Sequence, residues 1–473
     1  MREVCGVFLD PAGEAAAIER YQRLTGDHLS AAEHVEQGKR MVVERLLVAE
    51  VQRIAALAGE VPDAADAVAE VAVAFGVYRS YLPDGVADLD KALVLAEQRR
   101  PELAPALAAL SPRLHDPADE VARRFQQLSG ATMAKGTEDT AFYRYARFIA
   151  LNEVGFDAGE FGIGLEDFHA LQTVRQEHWP LAMTSLSTHD TKRGEDVRAR
   201  LAVLAEIGDE WERFAASFVE RSRIANLSFA YFLAQTLIGV GPVAQRERLH
   251  AYAEKAMREA SQQTSWTSVD EAYEESVQAA VDLAYDDPEL RDAWDRVLAL
   301  VEQPGWSNAL GQKIVQLTMP GIPDIYQGTE LWDDSLVDPD NRRLVDFARR
   351  RDLLASLTDA PPVDASGTAK LWVTATALRL RRDHPEFFGS YTPVPVSGPA
   401  ASHAIAYDRG GALTVATRLP IGLAESGGWR DTVVDLGGDR NGPWIDRLTG
   451  RSYAGPTLLT DLLARLPVAL LTH

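Results

Sequence analysis

The chain has 473 residues, 46% of them hydrophobic and 25% charged, the balance of an ordinary globular protein of about three domains. That balance excludes collagen-like, disulfide-rich and wholly disordered chains. Forty-eight basic against seventy acidic residues leave a net charge of −22, which repels phosphate backbones and anionic membranes, so no nucleic acid and no membrane is expected as a partner and a neutral or cationic substrate is easier to accept.

At the start, Met1, Arg2, Glu3 and Val4 lead into no apolar run of signal-peptide length, so nothing there directs export. The single cysteine, Cys5, excludes internal disulfides and cysteine zinc sites and fits a reducing, cytoplasmic setting. Up to residue 130 the pattern is mostly helical. Ser30 and Glu33 have the spacing of a capping box, in which each side chain satisfies a free amide of the first turn. Val43, Leu47, Val51 and Ile54 recur at helical spacing, and Gly59 offers a stop. His28 and His34 read as surface residues. Asp116 and Pro117 predict a further helix start, with Val121, Phe125 and Leu128 on one face.

Then the pattern changes. Small and apolar residues at 131–135 predict a buried strand. Thr137 follows as a helix cap, with Glu138 and Asp139 at the positive end of a helix that turns Phe142, Ala146 and Ile149 inward. The outline repeats at 181–188, followed by a polar loop at 189–194 and a helix carrying Val197, Leu201 and Leu204. A third strand is predicted at 314–319, before a turn region at 320–328. Strand, polar loop and helix in series predict βα units around a parallel sheet. A long helical stretch, about 209–300, separates the second unit from the third. Within it Leu227–Val240 is apolar, but Ser228 and Gln235 interrupt it and it is short for a membrane span, so a buried helix is expected. Pro361 and Pro362 mark 359–367 as a linker. Beyond 383, β-type runs at 403–407, 413–417 and 432–436 alternate with glycine-rich turns, which predicts a small terminal β-domain.

Four polar clusters could carry chemistry. The densest runs from Ser187 to Asp196, just past a predicted strand, where barrel enzymes place active-site groups. His189 and Asp190 together can hold vicinal hydroxyls, through an imidazole N–H and a charged acceptor. A plain charged helix start, with Glu195 and Asp196 serving the dipole, explains the same residues. Lys135 falls at another predicted strand end, and Gly136 after it would let a ligand approach the backbone; a capped helix start is the alternative. Trp266 can stack on a sugar ring or anchor a core. Tyr326 lies in a stretch, 320–330, with two prolines and two glycines, which is either a tight turn or the wall of a ligand site. Asp338, Asp340, Asn341, Arg342 and Arg343 follow. No phosphate loop, no zinc-ligand spacing among ten histidines and no nucleophile elbow is present.

Five segments together carry a specific resemblance: 134–145 (AKGTEDTAFYRY), 184–198 (TSLSTHDTKRGEDVR), 264–266 (TSW), 320–332 (PGIPDIYQGTELW) and 335–343 (SLVDPDNRR), with 6–13 (GVFLDPAG) extending it toward the start. Their order and length resemble the maltooligosyltrehalose synthase family of the α-amylase superfamily, glycoside hydrolase family 13. The resemblance implies an α/β fold, a (β/α)8 barrel with large helical insertions and a C-terminal β-sandwich. Only the later barrel strands would be present in this chain, which resembles the C-terminal part of the family's enzymes. The implied division is a helical insertion subdomain at 1–130, the later part of the barrel at 131–358 with a helical insertion near 209–300, and the β-domain at 383–473.

The resemblance also implies a reaction. The family converts the reducing-end α-1,4 linkage of a maltooligosaccharide to an α,α-1,1 linkage, an intramolecular transfer that needs no metal or organic cofactor. Asp190 matches the third catalytic carboxylate, the transition-state stabiliser, and His189 the histidine beside it. Lys135, Trp266, Tyr326 and Arg342 are the further substrate-binding candidates. The family's nucleophile and acid/base lie on earlier strands with no counterpart here, so the chain alone is expected to be inactive and a second chain could supply the missing barrel half. Two other readings fit the same residues: an α-amylase-like glucan hydrolase, and a noncatalytic glucan-binding or assembly partner.

Overall fold

The capping box forms as the spacing predicts. The Glu33 amide donates to Ser30 Oγ (3.2 Å) and the Ser30 amide to Glu33 Oε2 (2.8 Å), opening the helix Ala31–Met41. This helix belongs to the smaller of two compact units of the chain, Asp27–Ala146 with Glu254–Glu274. The computed structural model describes residues 1–241, 246–437 and 442–473. In the smaller unit, the helices Val48–Ala58, Ala64–Ala74, Val86–Arg99, Ala104–His115 and Glu120–Thr132 gather Val51, Ile54, Val68, Val71, Leu107, Leu110 and Phe125 into one core. Gly59 stops the first of these helices, as its place in the pattern predicts.

Three expectations fail in this unit. The helix predicted from Asp116 begins at Glu120 and is capped by Asp119, which accepts the Val121 amide at 2.9 Å; Asp116 instead closes the preceding turn onto the Ala118 amide. His34 is buried, with Nε2 2.9 Å from Asp27 Oδ2 and its ring against Tyr145, because the helix turns that position inward. The strand predicted at 131–135 is helix. Glu120–Thr132 runs on into a π-helical stretch, Met133–Ala141, so Lys135 lies on a helix and Thr137 is not a cap. The cause is close packing. A Cβ on Gly136 would stand 2.6 Å from Lys39 Cα, and one on Gly38 would meet the Gly136 carbonyl. Gly136 thus brings two helices together rather than admitting a ligand.

The larger unit comprises Met1–Gly26, Arg147–Ala253 and Glu275–His473. Its axis is a 31-residue helix, Pro288–Thr318. The strand predicted at 314–319 is the end of this helix. Ile314, Val315 and Leu317 are buried together with Gln312, Lys313 and Gln316, and a helix buried on all sides has the same short apolar run as a buried strand. Leu227–Val240 is the expected buried helix. Among the described residues no helix is long and apolar enough to cross a membrane. The segment at 359–367 is tied down at two points, with Asp359 paired to Arg465 (2.9 Å) and the Asp364 carbonyl accepting from Trp332 Nε1 (2.8 Å).

Parallel pairing among the described residues is confined to two short strands, Met183–Thr184 and Ile322–Pro323. The chain is otherwise mostly helical until its C-terminal sheets. There, a six-stranded antiparallel sheet holds Ala404–Asp408, Leu413–Thr417 and Val468–Thr472 at its centre, and a three-stranded sheet is centred on Val433–Asp435. Ala406, Val415 and Ala469 of the first and Val434 of the second meet in one core with Trp444, Leu459 and Leu462. The strands predicted from the alternation at 403–407, 413–417 and 432–436 are all present within a residue or two.

Candidate functional site

The strand Met183–Thr184 delivers the chain to Leu186 and Ser187, both buried, and then to an exposed tip at His189 and Asp190. Local bonds shape the tip. Thr188 Oγ1 accepts the amides of Asp190 and Thr191 (both 3.2 Å), and Thr191 Oγ1 returns a bond to the Thr188 carbonyl (2.8 Å). This Ser/Thr turn replaces the helix ladder over three residues. From outside, Asn341 Nδ2 donates to the His189 carbonyl at 2.7 Å. The Asn341 carbonyl in turn accepts from Tyr326 Oη at 3.3 Å. Tyr326, Asn341, His189 and Asp190 therefore belong to one constellation.

The far side of the loop is anchored by a carboxylate that no sequence pattern marks. Glu153, fully buried, accepts the amides of Lys192 (2.7 Å), Arg193 (3.1 Å) and Val154 (2.9 Å) and pairs with Arg198 at 2.8 Å. A buried carboxylate with this many donors is well compensated. It fixes the backbone on which Asp190 stands. Lys192, also buried, reaches toward Asp190, with Nζ 3.6 Å from Oδ1. The Asp190 carboxylate remains half exposed. It is an acceptor on a turn tied down from both sides.

Glu195 and Asp196 do more than serve a helix dipole. Both are buried, and Lys370 Nζ lies 2.7 Å from each, with Lys313 Nζ 2.7 Å from Glu195. Burial pushes the Glu195 carboxyl up, but the two lysines outweigh it and bring it below the usual range. Asp196 is raised by burial and by Glu195 beside it, despite Lys370. Asp196 also accepts the Asp333 amide (2.6 Å), and the Gly194 amide bonds the Ser335 carbonyl (2.7 Å). A Cβ on Gly194 would approach the Asp333 and Ser335 carbonyls to 2.9 and 3.0 Å, so the loop and the 333–335 segment pack backbone to backbone. Next to them a cavity of about 290 Å³ opens between Tyr326, Gln327, Trp332, Asn341 and Arg343.

Arg342 lies beside this group, but its side chain turns to Asp338 (2.5 Å) and is more than half exposed. Lys135 and Trp266 lie in the smaller unit. Lys135 Nζ pairs with Asp139 at 2.5 Å. Trp266 is half exposed, with the Arg258 guanidinium 5.2 Å from its ring centre. Glu259 adjoins both residues, and its carboxyl is raised by burial and then by Asp139. The six candidates thus fall into two groups, one in each unit. Among the described residues no three His, Cys, Asp or Glu side chains gather as metal ligands.

No family model matches the chain. Two curated relatives, from the Mycobacterium tuberculosis strains CDC 1551/Oshkosh and H37Rv, are named maltooligosyl trehalose synthase; each is 41% identical over 487 aligned positions that take in all of this chain and 62% of the relative. The solved maltooligosyltrehalose synthase of Arthrobacter ramosus is 46% identical with a TM-score of 0.96, over 100% of this chain and 62% of its own. A glycosyltrehalose synthase from DSM5389 is 27% identical, with a TM-score of 0.83 over 100% of this chain and 60% of its own. The chain therefore spans less than two thirds of the length of the relatives it matches.

Proposed function

We propose that this chain, homologous along its whole length to maltooligosyltrehalose synthases, is the part of such an enzyme that grips the reducing end of a maltooligosaccharide. It would do so while the terminal α-1,4 linkage is rearranged to α,α-1,1, an intramolecular glucosyl transfer of the isomerase class in trehalose biosynthesis. The observation that carries this reading is the presentation of Asp190. It is a half-exposed carboxylate beside His189, on a turn held from one side by Glu153 and from the other by Asn341.

The chemistry follows from a retaining transfer. A carboxylate outside this chain would attack the anomeric carbon as a second acid protonates the departing oxygen. Positive charge develops on the ring, and the fixed Asp190 carboxylate opposes it without having to reorganise. The released glucose turns in place, and its anomeric hydroxyl attacks the same carbon, displacing the carboxylate from it and losing its proton to the second group. Water must be excluded, or hydrolysis wins. His189 and Tyr326 would bind ring hydroxyls, with Arg342 at the rim. Lys135 and Trp266, in the smaller unit, remain substrate-binding candidates on the resemblance alone.

The two parallel strands are read as later strands of a (β/α)8 barrel, within the division 1–130, 131–358 and 383–473. A buried free Cys5 suits a cytoplasmic enzyme. Calorimetric titration of the chain with maltopentaose tests the grip. Binding that falls at least tenfold in Asp190→Ala and Tyr326→Ala supports it. Binding untouched by both substitutions, or no binding at all, would sink it.

A further inference from the structure

A second cavity, of about 250 Å³, is bordered by Trp332 and Asp333, as the one beside Tyr326 is, and continues to Asp196, Arg200, Glu302 and Trp306. A site for a single water needs about 10–15 Å³, so this is room for a small molecule. Residues of the helices Glu195–Ala202, Leu227–Val240 and Pro288–Thr318 line it, and their close packing fixes Arg200. A Cβ on Gly305 would stand 3.1 Å from Arg200 Cα, and one on Gly241 would stand 2.8 Å from Arg200 Nη1. Trp306 and Trp332 lie parallel, at 4° and with ring centres 5.8 Å apart. Trp332 is held in place by its Nε1, which donates to the Asp364 carbonyl at 2.8 Å.

The polar groups of this cavity are underused. A guanidinium has five N–H donors. Nη1 of Arg200 donates to the Gly239 carbonyl at 2.7 Å. Among the described residues Arg200 makes no other hydrogen bond and no ion pair, although Asp196, Glu302 and Asp333 line the same cavity. Asp196 is 7% exposed; its Oδ2 meets Lys370 and the Asp333 amide, and its Oδ1 is left without a partner. Asp333 accepts from Ser335 through Oδ1, and Glu302 is exposed. Buried donors and acceptors left unmade cost free energy. A guest that both donates and accepts would recover it.

Charge narrows the guest. An anion would meet the carboxylates of Asp196, Asp333 and Glu302, and a cation would meet the Arg200 guanidinium. A neutral molecule with several hydroxyls suits both, because each hydroxyl donates once and accepts twice. A ring with apolar C–H faces suits the tryptophan pair. We infer that this cavity binds one hexose ring, set against Trp306 and Trp332, with its hydroxyls accepting from Arg200 and donating to the carboxylates around it. A free monosaccharide and the end of a glucan chain share this chemistry. The inference goes beyond the proposed function: it rests on the lining of the cavity and needs neither Asp190 nor turnover.

The test titrates glucose and maltose into the full chain carrying Asp190→Ala and Tyr326→Ala, followed by tryptophan fluorescence. With those two residues already replaced, failure here and failure of the proposed grip are read separately. Saturable binding of glucose is expected. Arg200→Gln should weaken it at least tenfold. Glu302→Ala should weaken it at least threefold with an unchanged melting temperature, since that side chain is exposed, so the test stands even where Arg200→Gln disturbs the fold. Maltose binding as well as glucose marks the end of a glucan chain, and exclusion of maltose marks a free monosaccharide; either supports the inference. Absence of saturable binding, binding indifferent to both substitutions, or tighter binding of tetramethylammonium or inorganic phosphate than of glucose would each overturn it.

Discussion

At the residue scale, the account turns on a half-exposed carboxylate held in place by buried groups. Asp190 has few attachments of its own; its geometry is imposed by Glu153, Thr188 and Asn341. Its removal should therefore leave the fold alone and affect only the chemistry. In an assembled enzyme, Asp190→Asn is expected to lower kcat by about 10²- to 10³-fold, the scale of losing one preorganised electrostatic contact. The melting temperature should stay unchanged. Turnover near wild type would return Asp190 to a helix-entry role. Glu206 gives a separate test of burial. Its carboxyl is pushed up to about 7 by desolvation, against the amides of Gly422 and Ile421 and the Arg418 charge, with Glu425 adding to the rise. The folded state thus prefers the neutral form. Stability from this group is fully present below about pH 4.5 and is lost as pH rises through about 7. Glu206→Gln should melt higher than wild type at pH 8, with the gap closing by pH 5. An equal gap at both pH values would contradict the assignment.

At the element scale, the helices Glu195–Ala202 and Thr368–Asp383 are joined through Lys370, whose ammonium is enclosed by Glu195, Asp196 and the Leu331 carbonyl. Lys370→Met removes one of two cations from two buried carboxylates. The expected cost is about 3–5 kcal/mol, read from the urea midpoint; a cost under about 1 kcal/mol would mean that the cluster is hydrated. Elements that bury one face were legible in the sequence. The capping box at Ser30, the stop at Gly59 and the C-terminal strands each carry their own local chemistry. Two short runs were not: 131–135 (ATMAK) and 314–319 (IVQLTM) mix small and apolar residues over too few positions to show a period by which to tell helix from strand. The exposed tip at His189 and Asp190 stood out as a dense polar run after a predicted strand. Its supports did not. Glu153 lies 37 residues upstream and Lys370 lies 180 downstream of Asp190 in the chain, isolated acids and bases with nothing beside them to show what they will meet.

At the scale of the whole molecule, the proposed function gives Asp190 one role among the carboxylates that a retaining transfer needs. In that proposal Asp190 would stabilise a transition state and would not replace a nucleophile and an acid that must stand about 5 Å apart. If the chain acts as proposed, supplying Asp190 but not that pair, it should show no turnover by itself. The direct measurement counts reducing ends in maltopentaose incubated with the purified chain, alone and together with the unmatched segment of the Arthrobacter ramosus synthase. The account predicts no change with the chain alone, and loss of reducing ends without release of glucose once the segment is added. Steady loss of reducing ends by the chain alone would contradict it, because the catalytic pair would then have to lie within these 473 residues.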